Sequence, residues 1–112
     1  DIEGRNRVNR RNVMAFDAPV MGFVFVHEGM LPWSAMDAGL MLQTLFLSAK
    51  SRGVDSCPVG ILATWREPVE AEFEIPEGYQ FITGFALGYA DPEAPINAMQ
   101  APRPPIQLLE GK

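Results

Sequence analysis

Apolar residues fall into three long runs along this chain, and the runs differ in period. Pro19–His27 (Pro-Val-Met-Gly-Phe-Val-Phe-Val-His) is dense in β-branched and aromatic residues, with apolar side chains at odd and even positions alike. That pattern predicts a strand covered on both faces. Glu28–Pro32 reads as a turn. In the second run Asp37, Thr44, Ser48 and Ser51 are separated by 7, 4 and 3 residues, which gathers them into one narrow polar stripe on a helix. Ala38, Leu40, Met41, Leu42, Leu45, Phe46, Leu47 and Ala49 fill the rest of the circumference. The helix is predicted from Ala35 to Arg52. Ser34, three residues before Asp37, supplies the start signal, and Gly53 suits the left-handed position beyond the end. A helix so apolar belongs in an interior. A chain of 112 residues cannot wrap it alone, which predicts a partner surface.

Val54–Cys57 reads as a short extended piece and Pro58-Val59-Gly60 as a turn. A short helix is expected around Pro68–Phe73 with Pro68 at its first position, and Thr64 with Glu67 offers an alternative capping box. Pro76–Gly78 is a further turn. Gln80–Tyr89 is the third run, a second long strand in which Gly84 and Gly88 mark bulges or a close approach. Five of the ten prolines come after Asp91, so the remaining residues are predicted to run as an extended strap. The order is strand, long helix, short strand, short helix, strand, strap.

Charge narrows the function classes. With 9 basic and 14 acidic side chains the net charge is −5, which argues against a nucleic-acid footprint spread over the surface. Four of the seven arginines lie within Arg5–Asn12; no aromatics interleave them, so a solvated helix or frayed terminus is expected rather than an RNA or DNA grip. Glu67–Glu77 reads as a solvated acidic face. The single Cys57 forbids an internal disulfide, and no apolar run approaches a membrane span, so a cytoplasmic address is expected with no membrane partner. One histidine excludes a His-rich metal site, and no metal is expected. Cys57 beside Pro58 reads as a buried small hydrophobe rather than a nucleophile, and His27 as a surface imidazole. Trp33 and Trp65 read as core packing, with the wall of a substrate pocket as the alternative.

Four segments in order carry a family resemblance. They are Asp17-Ala18-Pro19-Val20 entering a strand; Arg52-Gly53-Val54-Asp55-Ser56-Cys57-Pro58-Val59-Gly60 after the helix; Gly84-Phe85-Ala86-Leu87-Gly88-Tyr89-Ala90-Asp91-Pro92; and Pro102-Arg103-Pro104-Pro105. Together they resemble the C-terminal half of the FMN-dependent nitroreductase family over Asn12 to Leu109. The resemblance implies an α+β fold, a mainly antiparallel sheet with helices on both faces, present here as a partial domain. It also implies FMN held at a homodimer interface, with hydride passing from NAD(P)H through the flavin to a nitroaromatic, quinone or similar small-molecule acceptor.

The resemblance assigns the cofactor-binding residues. Pro58, Val59 and Gly60 match the segment whose backbone lies along the isoalloxazine edge, with the N–H of Val59 or Gly60 toward flavin N5 and Gly60 permitting close approach. Arg103 matches a phosphate-binding arginine of the C-terminal region, where a planar guanidinium fork suits phosphate oxygens. No catalytic acid or base is assigned. The family's N-terminal half, with its basic phosphate motif and the cation beside flavin N1 and O2, has no match. That half therefore sits on another polypeptide, was removed, or is naturally absent. Residues 1–11 are expected to form an N-terminal arm, 12–90 the half-domain and 91–112 the strap. Ile2-Glu3-Gly4-Arg5 coincides with a protease site used to cut fusion tags, so the arm is either partly a fusion remnant or native. A flavin-free dimerisation or scaffold module, or a fragment of a larger flavoenzyme, stands as the alternative.

Overall fold

In the computed structural model, which describes residues 1–108 and 111, the chain opens with helix α1, Ile2–Val13. The Asp1 carboxylate accepts the N–H of Gly4 at 2.6 Å, and Arg10 and Arg11 lie in the last turn. Both placements suit the helix dipole. None of its residues is buried, as a solvated helix requires.

Ala15, Phe16 and Asp17 come next, with φ of 51°, 55° and 62°. Three non-glycine residues in the left-handed region are unfavourable by about 1–2 kcal/mol each. Burial of Ala15 in the core helps to offset that strain. The turn delivers the chain into β1, Val20–His27. Helix α2 is Trp33–Lys50, and β2 is Asp55–Val59. A 3-10 segment, Gly60–Trp65, leads into α3, Arg66–Glu72. Strand β3, Tyr79–Gly88, closes the ordered core. Beyond it the chain makes a 3-10 turn at Pro95–Ala98 and has no regular element from Met99 to Leu108. Leu109, Glu110 and Lys112, at the end of the expected strap, lie outside the described residues.

The strands form a three-stranded sheet in the order β1-β3-β2, and both pairings are antiparallel. Val24 and Val26 of β1 pack with Ala38 and Leu42 of α2 on one face. On the other face Val59, Leu62, Phe81 and Ala86 are joined by Met21, Phe23 and Phe25, with Val69 of α3 against them. This is the expected α+β arrangement, with helices on both faces and β1 covered on both sides. A register shift at Val24/Phe25 pairs Val24 with Thr83 and Phe25 with Phe81. The extra β3 residue, Ile82, is a bulge that keeps Phe81 on the 3-10 side of the sheet and turns Ile82 toward α2.

Several local expectations need correction. Ser34 is not the cap of α2. The helix begins at Trp33, two residues before the expected Ala35, and the Ser34 hydroxyl donates to the His27 carbonyl at 3.3 Å. The Thr64–Glu67 capping box does not form, because the Thr64 hydroxyl donates back to the Ile61 carbonyl at 2.7 Å. Pro68 falls in the third position of α3 rather than the first, still within the turn whose N–H groups have no helical acceptor. At the other end α2 stops at Lys50, two residues before the expected Arg52, but the expected glycine stop holds. Gly53, at φ 76°, donates to Lys50 and Val54 donates to Ala49, which is a Schellman stop with Gly53 in the left-handed position.

Candidate flavin-contacting site

The segment expected to turn at Pro58-Val59-Gly60 instead finishes a strand. Pro58 pairs with Phe85 and Val59 with Gly84, and the chain bends only at Gly60. Proline is tolerated here because β2 lies at the edge of the sheet. Val59 is 1% exposed and sits in the core, so this residue is an anchor, and its backbone is not open to a ligand as expected for a donor. Gly60 is exposed and opens the 3-10 segment. Its N–H, the first of the segment, has no acceptor within it. A Cβ built on Gly60 meets nothing within 4 Å. A deeply buried valine is thus followed at the strand end by an exposed glycine with open space beside it.

Gly84, opposite Val59, has a packing role. A Cβ there would lie 2.6 Å from Leu62 Cδ1. The missing side chain lets the 3-10 segment close down on the sheet, which sets where Gly60 emerges. Gly88 is crowded by Pro19 Cδ at 2.9 Å. Both are close approaches rather than bulges.

Cys57 is exposed as a residue, not buried as expected. Its sulfur lies 3.6 Å from the Pro58 carbonyl oxygen, and enough of it is shielded that burial pushes the thiol's pKa up. That direction is opposite to the activation of a nucleophile. The His27 Nδ1 accepts the N–H of Gly29 at 3.2 Å, and its exposed ring meets Tyr79 edge-on at 5.3 Å. Cys57 and His27 are not brought together.

Arg103 lies exposed in the irregular segment after the 3-10 turn. Among the described residues no hydrogen bond or ion pair ties its guanidinium to the sheet. The fold therefore unites Pro58, Val59 and Gly60 at one strand end and leaves Arg103 on the strap. Trp33 is 64% exposed at the start of α2, so it is not core packing. Trp65, with Val13, Met21, Phe23, Leu62 and Phe73, lines an apolar cleft of about 580 Å³.

Two residues with structural roles carry almost no signal in the sequence. Arg66 donates from Nη2 to the Phe81 carbonyl at 3.2 Å, pinning α3 to the central strand. Asp55 pairs with Lys50 and accepts the N–H of Ala90 at 2.9 Å. Both donors hold its carboxyl below the usual aspartate value, the Lys50 hydrogen bond first. Two of the segments that carry the family resemblance are thus stitched together by one carboxylate. The only hint of it along the chain is an aspartate five residues after a lysine, at the entry to a short strand.

Comparison with known proteins bears on the fold. The fold and the strand end define a partial α+β domain, and the family model described as "Nitroreductase family" matches residues 2–89. The chain belongs to the nitroreductase family. It is 35% identical over 111 residues to the chloronitrobenzene nitroreductase of Comamonas testosteroni, covering 98% of this chain and 48% of that protein. It is 36% identical over 104 residues to a 4-nitrobenzoate reductase of Pseudomonas putida, covering 92% and 45%. Among solved structures, the FMN and NADPH-dependent nitroreductase NfnB from Sphigopyxis sp. strain HMH superposes with a TM-score of 0.88 at 32% identity, over 98% of this chain and 51% of that one. The FMN-dependent NfnB from Mycobacterium smegmatis, in complex with NADPH, gives 0.80 at 30% identity, over 87% and 43%. The chain spans about half the length of the relatives it matches.

Proposed function

We propose that these residues form the flavin-contacting half of an FMN-dependent oxidoreductase. It would take hydride from NADH or NADPH and deliver it to a nitroaromatic, quinone or similar small acceptor. One observation carries the reading: Gly60 lies exposed where β2 ends, with open space where a side chain would stand, in a chain whose relatives are nitroaromatic reductases.

The donor set fits an isoalloxazine edge and a phosphate. Bound FMN would supply the hydride chemistry, accepting and donating at N5. The chain's own part is orientation. Of the two expected donors, Val59 is closed in against Gly84, so the exposed Gly60 N–H is the one that would face N5, with the buried Val59 side chain holding its neighbour in place. Gly60 leaves room for the ring edge, and Arg103 pairs with the phosphate through its planar fork. Among the described residues no side chain is assigned as a proton donor or acceptor, and burial that pushes the Cys57 thiol up favours its neutral form. Cations for the pyrimidine side of the ring come from outside these residues.

The site would lie between two copies. Trp33, Met36, Leu40 and Leu47 recur at helical spacing on α2 and are 64%, 61%, 64% and 63% exposed. That stripe lies away from the sheet-facing Ala38 and Leu42 and favours a homodimer seam. The same stripe also favours a second reading, a flavin-free half-domain that serves as a dimerisation or scaffold module.

Titration of the purified chain with FMN separates the two, followed by visible absorbance and flavin fluorescence with intact mass recorded on the same sample. A yellow complex with a shifted, structured flavin band is expected. Protein that stays colourless in excess FMN would reject the redox reading and leave the scaffold one.

A further inference from the structure

We propose that Asp55 is a positioning residue. Its carboxylate clamps the root of the C-terminal strap to the sheet and thereby fixes the direction in which the strap carries Arg103. The inference rests on the flavin reading for its purpose but not for its geometry.

Asp55 is the first residue of β2, the strand that ends at Val59 and is followed by Gly60. Its register partner is Gly88, the last residue of β3. Its Oδ2 accepts the N–H of Ala90, thirty-five positions along the chain, and its Oδ1 pairs with Lys50 in the last turn of α2. One carboxylate thus joins the end of the long helix, the start of the edge strand and the point where the chain leaves the sheet.

Beyond Ala90 the chain is ordered by short polar contacts. The Asp91 Oδ1 accepts the N–H of Glu93 at 2.9 Å. The Asp91 carbonyl takes the Asn97 side-chain amide at 2.8 Å and the N–H of Ala94 at 3.2 Å. Residues 90–97 therefore form a folded corner whose one side-chain attachment back to the sheet, among the described residues, is the Asp55 carboxylate. Glu93 and Pro95 add no tether of their own. Released at Ala90, the corner keeps its internal bonds but loses its fixed angle to the sheet, and with it the direction in which the strap sets out.

The chemistry of the clamp predicts a graded series. Asp55→Ala removes both contacts. Asp55→Asn keeps an oxygen for the Ala90 N–H and loses the ion pair. Lys50→Met keeps the Ala90 bond and loses only the cation, which is well exposed and contributes little.

The test compares these variants with the unmodified chain by residue-resolved hydrogen exchange without flavin, and by FMN titration separately. In Asp55→Ala, the Ala90 amide should exchange about tenfold faster while amides in β1 and in the middle of α2 keep their rates. Asp55→Asn and Lys50→Met should restore most of the protection. FMN affinity should fall in the same order, weakest in Asp55→Ala. Unchanged exchange at Ala90 in Asp55→Ala overturns the clamp. A loss of protection spread evenly over the whole chain overturns it too, because the residue would then be a general stabiliser. Unclamped exchange with an FMN affinity equal to that of the unmodified chain overturns the positioning of Arg103. If the unmodified chain binds no FMN, the flavin reading fails while the exchange series still decides the clamp.

Discussion

Glycines in this chain do different work, and substitution distinguishes them. A Cβ on Gly22 would fall 2.2–2.8 Å from the ring atoms of Phe85, the register partner that lies across it. Gly22→Ala should therefore cost about 1–3 kcal/mol in urea unfolding. Combining it with Phe85→Leu should cost less than the two single changes summed, since the smaller side chain vacates the contested space. Gly60 is the opposite case. Its Cβ position is open, so Gly60→Ala should leave stability within about 0.5 kcal/mol of the unmodified protein. The same methyl group would occupy the space proposed for the flavin edge and should weaken FMN binding about tenfold. Loss of stability without loss of binding would mark Gly60 as a packing residue instead. None of this difference is visible in the letters, because both glycines sit between apolar neighbours.

Among the elements, the junction between α2 and β2 is the most finely determined. Gly53 at φ 76° ends the helix, and Gly53→Ala should cost about 1 kcal/mol because a side chain is disfavoured there. Asp55 adds a pH-dependent tie. Its folded carboxyl titrates below the ordinary value, through Lys50 first and Ala90 second. A depressed acid stabilises the fold above its unfolded pKa, and that contribution vanishes as pH falls through the folded one. Asp55→Asn should accordingly be less stable than the unmodified chain at neutral pH, with the gap closing at an acid pH below the ordinary aspartate value. Unfolding midpoints measured at both pH values check this. A gap that widens on acidification would show that the pairing seen here is not the one that titrates.

At the scale of the whole molecule, two surfaces have unequal cover. Phe81 is fully buried in the core beneath the 3-10 segment, and Phe81→Ala should cost about 3–5 kcal/mol, a large share of the stability of a domain of this size. The outer stripe of α2 has no such cover. The proposed seam predicts that Leu40→Glu with Leu47→Glu shifts the chain from dimer to monomer in sedimentation at micromolar concentration, with helix content retained. An unmodified chain that is already monomeric would reject the seam. The long helix expected to be interior is thus interior on one face only, through Ala38 and Leu42, because these residues alone do not supply a second layer. Among the described residues, no helix is long and apolar enough to cross a membrane.

The order of strands and helices was written in the chain. The β-branched and aromatic run at Pro19–His27, the helical spacing after Trp33 and the glycine stop at Gly53 are local signals that each short segment carries within itself. The pairing of the strands, the bulge at Ile82 and the carboxylate joining residues 55 and 90 were not. They arise from contacts between positions far apart in sequence, and no local period encodes such contacts. The candidate site divides along the same line. The residue types around Pro58-Val59-Gly60 could be read from the letters. That Val59 is an anchor, Gly60 an exposed position with open space beside it and Gly84 the gap that seats them was decided only when β3 was laid beside β2 and Leu62 folded over it.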